Sequence, residues 1–205
     1  MPKIDRHSYL YNLQTKGLIY DWLPFEQSEY IKRVLHDDIP SKSPQGEGVC
    51  SAMCYYVIKR WISDGVSVDA VGELERQAVA EGIVDYMEAE GGDSTAYFEQ
   101  QMTQHMYRQR GKTPYIGYKQ PIEATTQQTD FCLTGWINTT EENGHAIICN
   151  CHPNFAIFDP NVGYLRAYNQ TSYTWAFLDL MKTFYPEYCG ANAGANVVRF
   201  SKVGG

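Results

Sequence analysis

The chain has 205 residues, of which 43% are hydrophobic and 20% are charged, a composition typical of an ordered globular domain. Its formal net charge is −7, from 24 acidic and 17 basic residues, and it contains no block of lysine or arginine. We therefore expect no nucleic-acid partner, since binding to the phosphate backbone requires a basic surface. No apolar run approaches the ~18 residues of a membrane span, so we also expect no integral membrane segment.

The first residues, MPKIDRHSYLYNLQTKG, include basic side chains but no apolar stretch behind them, which disfavours a cleaved secretory signal. We therefore expect the six cysteines to be reduced thiols rather than disulfides. Residues 1–40 read as an N-terminal extension with one helix at about 24–36, because apolar side chains recur there at near-helical spacing. Residues 41–205 are long enough for one domain with its own core.

A loop precedes the first helix of this domain. The stretch DDIPSKSPQGEG, residues 37–48, is rich in Pro, Ser and Gly, and the helical pattern begins near Cys50 directly after it. Cys50, Cys54 and Trp61 fall at helical spacing and therefore share one face, and the pattern ends near SDG. Two further helical patterns follow, one from about residue 69 and one over 93–111.

After residue 111 the pattern changes to short aromatic and β-branched stretches. FCLTGWIN, GHAIICNCH, NFAIFDP and GYLRAYN are separated by Asn, Gly and Pro, which is typical of strands joined by turns. A late helix over 172–184 and a last strand, NVVRFSKV, complete the chain. Helices followed by a strand meander predict an α+β domain, with an antiparallel sheet packed against a helical half.

The tripeptide GVC places Cys50 in the first turn of the predicted helix. Backbone N–H groups without helical partners and the positive end of the helix dipole lie there, and both favour a thiolate over a thiol. Since the thiolate is the attacking species in thiol chemistry, Cys50 is a candidate nucleophile. The alternative is a small buried side chain on the same face as Cys54, a common position for a free cysteine.

A histidine and an aspartate occupy the ends of two successive predicted strands. His145 begins HAIIC, and Asp159 ends FAIFD fourteen positions later, with HPN as a short turn between the strands. Antiparallel pairing would bring His145 and Asp159 side by side, where the carboxylate can accept the imidazole N–H and orient the ring. Each residue also has an ordinary interpretation, as a hydrogen-bonded histidine at a strand end and as part of an Asp-Pro turn.

Two further patterns contain residue types that can stabilise an oxyanion or bind a metal. Gln45 lies five residues before Cys50, where a side-chain amide can help the Cys50 backbone N–H to hold an oxyanion, although the same loop reads as a flexible connection. The run CNCHP offers Cys149, Cys151 and His152 as zinc ligands. No second Cys/His pair with zinc-site spacing accompanies them, so we expect no metal and no cofactor.

The order Cys, His, Asp, with GVC at a helix start, GHA opening a strand and FDPNVGY after the next strand, resembles the YopT/AvrPphB effector cysteine proteases. This is a papain-like group that bacteria inject into host cells, and the resemblance covers about residues 41–205. It implies a papain-like fold in which Cys50, His145 and Asp159 form the catalytic triad and Gln45 contributes to the oxyanion hole.

The same resemblance implies a function and a place of action. The chain would be a thiol protease, more narrowly a cysteine endopeptidase, and a virulence factor or toxin that cleaves a host signalling protein, either a small GTPase or a kinase. It would reside in the bacterial cytoplasm before export without a Sec-type signal and then enter the host cell. Residues 1–40 would serve as a delivery segment, as the binding site of a secretion chaperone or as a pro-segment.

Other functions are compatible with the same three residues. A thioester at Cys50 is common to proteases, glutamine or asparagine deamidases, transglutaminases and acyltransferases, so the triad alone does not separate these reactions. A papain-like domain that has lost catalysis and serves as a binding module is the alternative outside enzymes.

Overall fold

The computed structural model describes residues 4–35, 49–89, 94–104, 107–126, 131–138, 143–190 and 193–202. Within these ranges seven strands form one sheet, and every neighbouring pair is antiparallel. In chain order the strands are β1 (Ile19–Pro24), β2 (Tyr107–Ile116), β3 (Phe131–Asn138), β4 (Asn143–Asn150), β5 (Ala156–Asp159), β6 (Gly163–Ala167) and β7 (Ala193–Lys202). Across the sheet the order is β1-β6-β5-β4-β3-β7-β2.

The helices vary from one turn to sixteen residues in length. Short 3₁₀ turns follow α4 and α8, at Glu73–Glu75 and Pro186–Cys189. No helix in the described ranges combines the length and apolarity that crossing a membrane would require. The helices are α1 (Arg6–Thr15), α2 (Gln27–Arg33), α3 (Val49–Asp64), α4 (Asp69–Gly72), α5 (Gln77–Ala89), α6 (Ser94–Gln104), α7 (Lys119–Thr126) and α8 (Gln170–Phe184).

Helices cover both faces of the sheet. One face packs against α3, α5 and α6, and the other packs against α1, α7 and α8. Strand β4 shows the division, because Ile148 faces α3 whereas Ile147 and Cys149 face α8, as the two-residue period of a strand requires. The predicted α+β class with an antiparallel sheet is confirmed, with helices on both sides of the sheet rather than on one.

Most predicted helices and strands are present, but the two helices predicted between residues 69 and 111 need correction. The helix expected from residue 69 is interrupted, since α4 ends at Gly72 and α5 begins at Gln77. The helix expected over 93–111 is wrong in its last part, because α6 ends at Gln104 and β2 follows. Strand β2 pairs with β7 along its whole length, and this partner from the end of the chain overrides the local helical pattern.

The segment before residue 36 contributes to the sheet and to the core. Strand β1 pairs with β6 at the edge of the sheet, and α1 precedes it with Leu10 and Leu13 fully buried. Ile19 at the start of β1 is equally buried. The helix predicted at 24–36 is the shorter α2, and neither α1 nor β1 was predicted from the sequence. The predicted division of the chain at residue 40 stays a prediction.

Candidate active site

Cys50 is the second residue of α3, in the first helical turn. One turn later, the Sγ atom of Cys54 donates a hydrogen bond of 3.5 Å to the carbonyl oxygen of Ala146. This contact places the beginning of α3 over the beginning of β4. The two thiols differ in access to solvent, because Cys54 is completely buried and Cys50 is partly exposed. Cys50 therefore lies at the margin of the core, where a second molecule can approach it.

His145 is the third residue of β4 and Asp159 is the last residue of β5, and the two strands are neighbours in the sheet. The Nε2 atom of His145 lies 3.0 Å from Oδ1 of Asp159. Both side chains are buried, with 8% of the His145 surface and none of the Asp159 surface exposed. A carboxylate in such a setting interacts strongly with an imidazole, because little water screens the pair.

The Asp159 carboxylate is held by the backbone as well as by His145. The backbone N–H of Asn161 donates to Oδ1 over 2.8 Å, and the N–H of Val162 donates to the Asp159 carbonyl oxygen over 3.1 Å. Together they form a tight turn from β5 into β6, in which Pro160 is the second residue. The sequence DPNV is typical of such turns, and here it orients the side chain that faces His145.

Tyr185 is a third buried side chain at this position, and the sequence analysis did not single it out. Its ring stacks on the His145 ring at 4.7 Å between centroids and 26° between planes. Its hydroxyl oxygen lies 2.8 Å from Nε2 of His145 and 2.8 Å from Oδ1 of Asp159. The chain contains 16 tyrosines, and nothing in the sequence distinguishes Tyr185 from the rest.

The pKa of His145 reflects a competition between burial and charge. Burial alone lowers the pKa, but the Asp159 carboxylate and a hydrogen bond with Cys50 outweigh it and raise the pKa to about 10. His145 is therefore the protonated imidazolium at neutral pH. Since Nε2 contacts Asp159 and Tyr185, Nδ1 is the ring nitrogen that can serve Cys50. In general, an imidazolium beside a cysteine favours the thiolate as the nucleophile.

No protein-family model and no curated protein matches the chain. Among solved structures, the crystal structure of the Pseudomonas avirulence protein AvrPphB is similar, with a TM-score of 0.57 and 16% sequence identity. The alignment covers 75% of this chain and 91% of that chain. The chain has an AvrPphB-like fold. At this identity the likeness concerns the fold, and the roles of individual residues rest on their geometry.

Of the predicted site residues, His145 and Asp159 contact each other directly and Cys50 influences the pKa of His145, whereas Gln45 falls outside the described residues. The predicted contribution of Gln45 to an oxyanion hole therefore stays a prediction. Of the backbone donors that are described, the N–H of Cys50 lies in the first turn of α3, where helix geometry leaves it without a helical acceptor.

Of the remaining cysteines, Cys54, Cys132, Cys149 and Cys151 are buried, and Cys189 is partly exposed with its Sγ 3.5 Å from the carbonyl oxygen of Tyr185. All six thiols are free. In the run CNCHP, Cys149 and Cys151 are buried whereas His152 is exposed, so the three do not face one space. Among the described residues no group of three or more His, Cys, Asp or Glu side chains is arranged to hold a metal ion.

Proposed function

We propose that this protein is a papain-like cysteine protease that uses Cys50 as nucleophile, His145 as proton donor and acceptor, and Asp159 as the residue that orients His145. The contact that supports this most directly is the buried pair of His145 Nε2 and Asp159 Oδ1 at 3.0 Å, and Cys50 lies near enough to help raise the pKa of that imidazole. The fold likeness to a Pseudomonas avirulence protein supports the same general kind of protein.

The proposed reaction follows from the position of each group. The Cys50 thiolate attacks the carbonyl carbon of a peptide bond, and the oxyanion that forms accepts a hydrogen bond from the backbone N–H of Cys50. We assign a second donor to Gln45. His145 transfers its Nδ1 proton to the leaving amine, the C–N bond breaks, and a thioester remains on Cys50. Water then gives a proton to His145 and its oxygen to the acyl carbon, the C–S bond breaks, and the acid is released while the thiolate–imidazolium pair is restored.

The substrate and the place of action are proposed from the resemblance to effector proteases. We propose a host signalling protein as substrate, either a small GTPase or a protein kinase, reached after export from a bacterium. A secretion chaperone that binds the chain before export belongs to the same proposal. The acidic net charge of −7 favours a basic stretch of the substrate, since opposite charges accelerate the encounter.

Mass spectrometry of candidate substrates tests this proposal. A small GTPase and a kinase are each incubated with the wild-type chain, with Cys50→Ala and with Cys189→Ala, which removes another partly exposed thiol. We expect wild type and Cys189→Ala to break the substrate chain, and Cys50→Ala to lose turnover by at least about a thousandfold.

Any other outcome of this experiment points to one of the alternative functions. A gain of about one mass unit on Gln or Asn means a deamidase, because an acyl-enzyme intermediate formed on a side-chain amide is hydrolysed in the same way. A gain of an amine or acyl group means a transglutaminase or an acyltransferase. Turnover by Cys50→Ala would refute the assignment of the nucleophile. An unchanged substrate together with a Cys50 that iodoacetamide does not label would leave a binding module.

A further inference from the structure

Tyr185 bridges the two buried residues of the site instead of merely packing beside them. Its hydroxyl oxygen is 2.8 Å from each partner, while the partners are 3.0 Å apart, so Oη, Nε2 and Oδ1 form a closed triangle. Only 5% of the Tyr185 surface is exposed. Inside a protein, hydrogen bonds within such a network are stronger than in water, because water does not compete for them.

The protons of this triangle can be assigned from chemistry. Burial and the Asp159 carboxylate raise the pKa of Tyr185 far above its usual value, so the phenol keeps its proton. The phenol O–H therefore donates to Oδ1, because the imidazolium has no lone pair at Nε2 to accept it. The Nε2–H in turn points at both Oδ1 and the phenol oxygen. The hydroxyl thus donates to Asp159 and accepts from His145 at the same time.

The backbone keeps Tyr185 in this place. Its N–H donates to the Met181 carbonyl oxygen over 2.9 Å as the last hydrogen bond of α8, and Pro186 then directs the chain into a 3₁₀ turn. The ring also contacts the rings of Phe184 and Tyr188. A side chain fixed at the end of a helix and between other rings has little freedom to leave the imidazole.

We propose that Tyr185 is a positioning residue of this site, which holds the imidazole of His145 with Nε2 toward Asp159 and Nδ1 toward Cys50. The stacked ring prevents the imidazole from tilting, and the bridging hydroxyl prevents it from turning over, since a flipped ring would leave both buried oxygen atoms without the Nε2–H. The role rests on the proposed function, because it matters only where His145 serves Cys50. The hydrogen bonds of Tyr185 go to His145 and Asp159, so it acts through His145.

A double-mutant cycle on Cys50 reactivity tests the proposal without a known substrate. The rate of Cys50 labelling by iodoacetamide is measured by peptide mapping at about pH 6, where an ordinary thiol reacts slowly. The variants are Tyr185→Phe, Asp159→Asn and the double variant. We expect Tyr185→Phe to label Cys50 about tenfold more slowly than wild type, which corresponds to one hydrogen bond to a charged group.

The cycle separates positioning from general packing. If Tyr185 acts through the His145–Asp159 pair, the double variant should match Asp159→Asn within about twofold, because the second change finds no pair left to orient. Independent effects that multiply would overturn the proposal. The matched control is Tyr173→Phe, at the start of α8. It removes another buried hydroxyl, which lies 3.0 Å from the Thr125 hydroxyl, and it should leave Cys50 labelling unchanged.

The remaining outcomes are equally decisive. Labelling of the buried Cys54 in Tyr185→Phe above the wild-type level would mean that Tyr185 maintains the core, and would overturn the proposal. A reactive Cys50 in wild type with no change in Tyr185→Phe would overturn this inference and leave the proposed function standing. A Cys50 that is inert in wild type at this pH would instead refute the proposed function itself.

Discussion

His145 shows how a single residue acquires its properties from its neighbours. A buried histidine normally loses its proton, because the low-dielectric interior disfavours a charge. Here the Asp159 carboxylate at 3.0 Å and the hydrogen bond with Cys50 reverse that tendency. The residue is therefore a stable cation within the protein. Its charge depends on two partners that are distant in sequence, Asp159 at 14 positions and Cys50 at 95 positions.

This reversal predicts a pH-dependent stability, which is best measured in a Cys50→Ala background so that the thiol does not titrate. Folding raises the pKa of His145, and Asp159, the strongest of the groups that raise it, is retained in this background. The stabilisation is therefore complete below the unfolded value of about 6.5 and is lost as the pH rises through the folded value. Between these values the free energy of unfolding should fall by at most about 1.4 kcal/mol per pH unit. Urea denaturation from about pH 6 to pH 9 measures the slope.

The control for this experiment is Asp159→Asn in the same background. Without the carboxylate, burial dominates and lowers the pKa of His145, so the slope attributed to His145 should vanish or change sign. Equal slopes in the two variants would show that Asp159 does not hold the proton on His145.

Among the structural elements, the turn between β5 and β6 depends most on a distant part of the chain. The N–H groups of Phe25 and Gln27, which follow β1, donate to the carbonyl oxygens of Val162 and Pro160 over 3.1 and 2.7 Å. The Arg6 side chain of α1 donates to the Asn161 carbonyl oxygen over 3.0 Å. Hydrogen bonds from the N-terminal segment thus hold the turn that carries Asp159 in place.

Gly163, the first residue of β6, allows the end of β1 to approach this turn closely. Gly163→Ala should therefore destabilise the protein by at least about 2 kcal/mol. Its φ of 126° is unfavourable for other residues, and a Cβ there would overlap the Leu23 carbonyl oxygen and lie 2.8 Å from the Phe25 nitrogen. Because the clash pushes on the turn, Cys50 labelling should also slow. Denaturant unfolding and iodoacetamide labelling measure the two effects.

A matched glycine separates this effect from a general cost of alanine. Gly190 has a φ of −82°, and a Cβ at that position meets no atom within 4 Å. Gly190→Ala should therefore change the free energy of unfolding by no more than about 0.5 kcal/mol. A Gly163→Ala variant as stable as Gly190→Ala would mean that the β1–β6 contact can relax at little cost.

In the molecule as a whole, the N-terminal segment belongs to the packing of the sheet. Helix α1 and strand β1 bury Leu10, Leu13 and Ile19 against the same core as α8. The edge of the sheet at β6 would also lose its hydrogen-bonding partner without β1. An edge strand left open in this way invites pairing with other chains.

Removal of residues 1–35 therefore tests the predicted division of the chain at residue 40. Burial of the three aliphatic side chains contributes about 1.5–3 kcal/mol each, against a total stability of about 5–15 kcal/mol for a protein domain. We expect the truncated chain to be unfolded or aggregated, as circular dichroism and size-exclusion chromatography would show.

A matched control and the opposite result complete this test. Tyr11→Ala in the full chain changes an exposed residue of α1 and should leave the fold intact. A truncated chain that folds with an unchanged denaturation midpoint would instead support a removable segment, as expected of a delivery sequence or a pro-segment.

Local patterns in the sequence were sufficient for α3, for most of the strands and for α8. Helical spacing after a Pro- and Gly-rich loop predicted that Cys50 stands in a first helical turn, and turn residues around short apolar runs predicted that His145 and Asp159 stand at strand ends. These features depend on residues within a few positions of each other, and for that reason short stretches of sequence predict them. Their roles in catalysis stay predictions.

The features that sequence analysis missed all depend on contacts between distant parts of the chain. Strand β2 exists because β7 pairs with it, β1 because β6 does, and Tyr185 matters because the end of α8 lies beside β4 and β5. The distance from His145 to Asp159, the burial of both and the protonation of the imidazole follow from how the two faces of the sheet are covered. The distance, the burial and the protonation state depend on all the residues that surround the pair in space, and a short stretch of sequence does not show which residues those are.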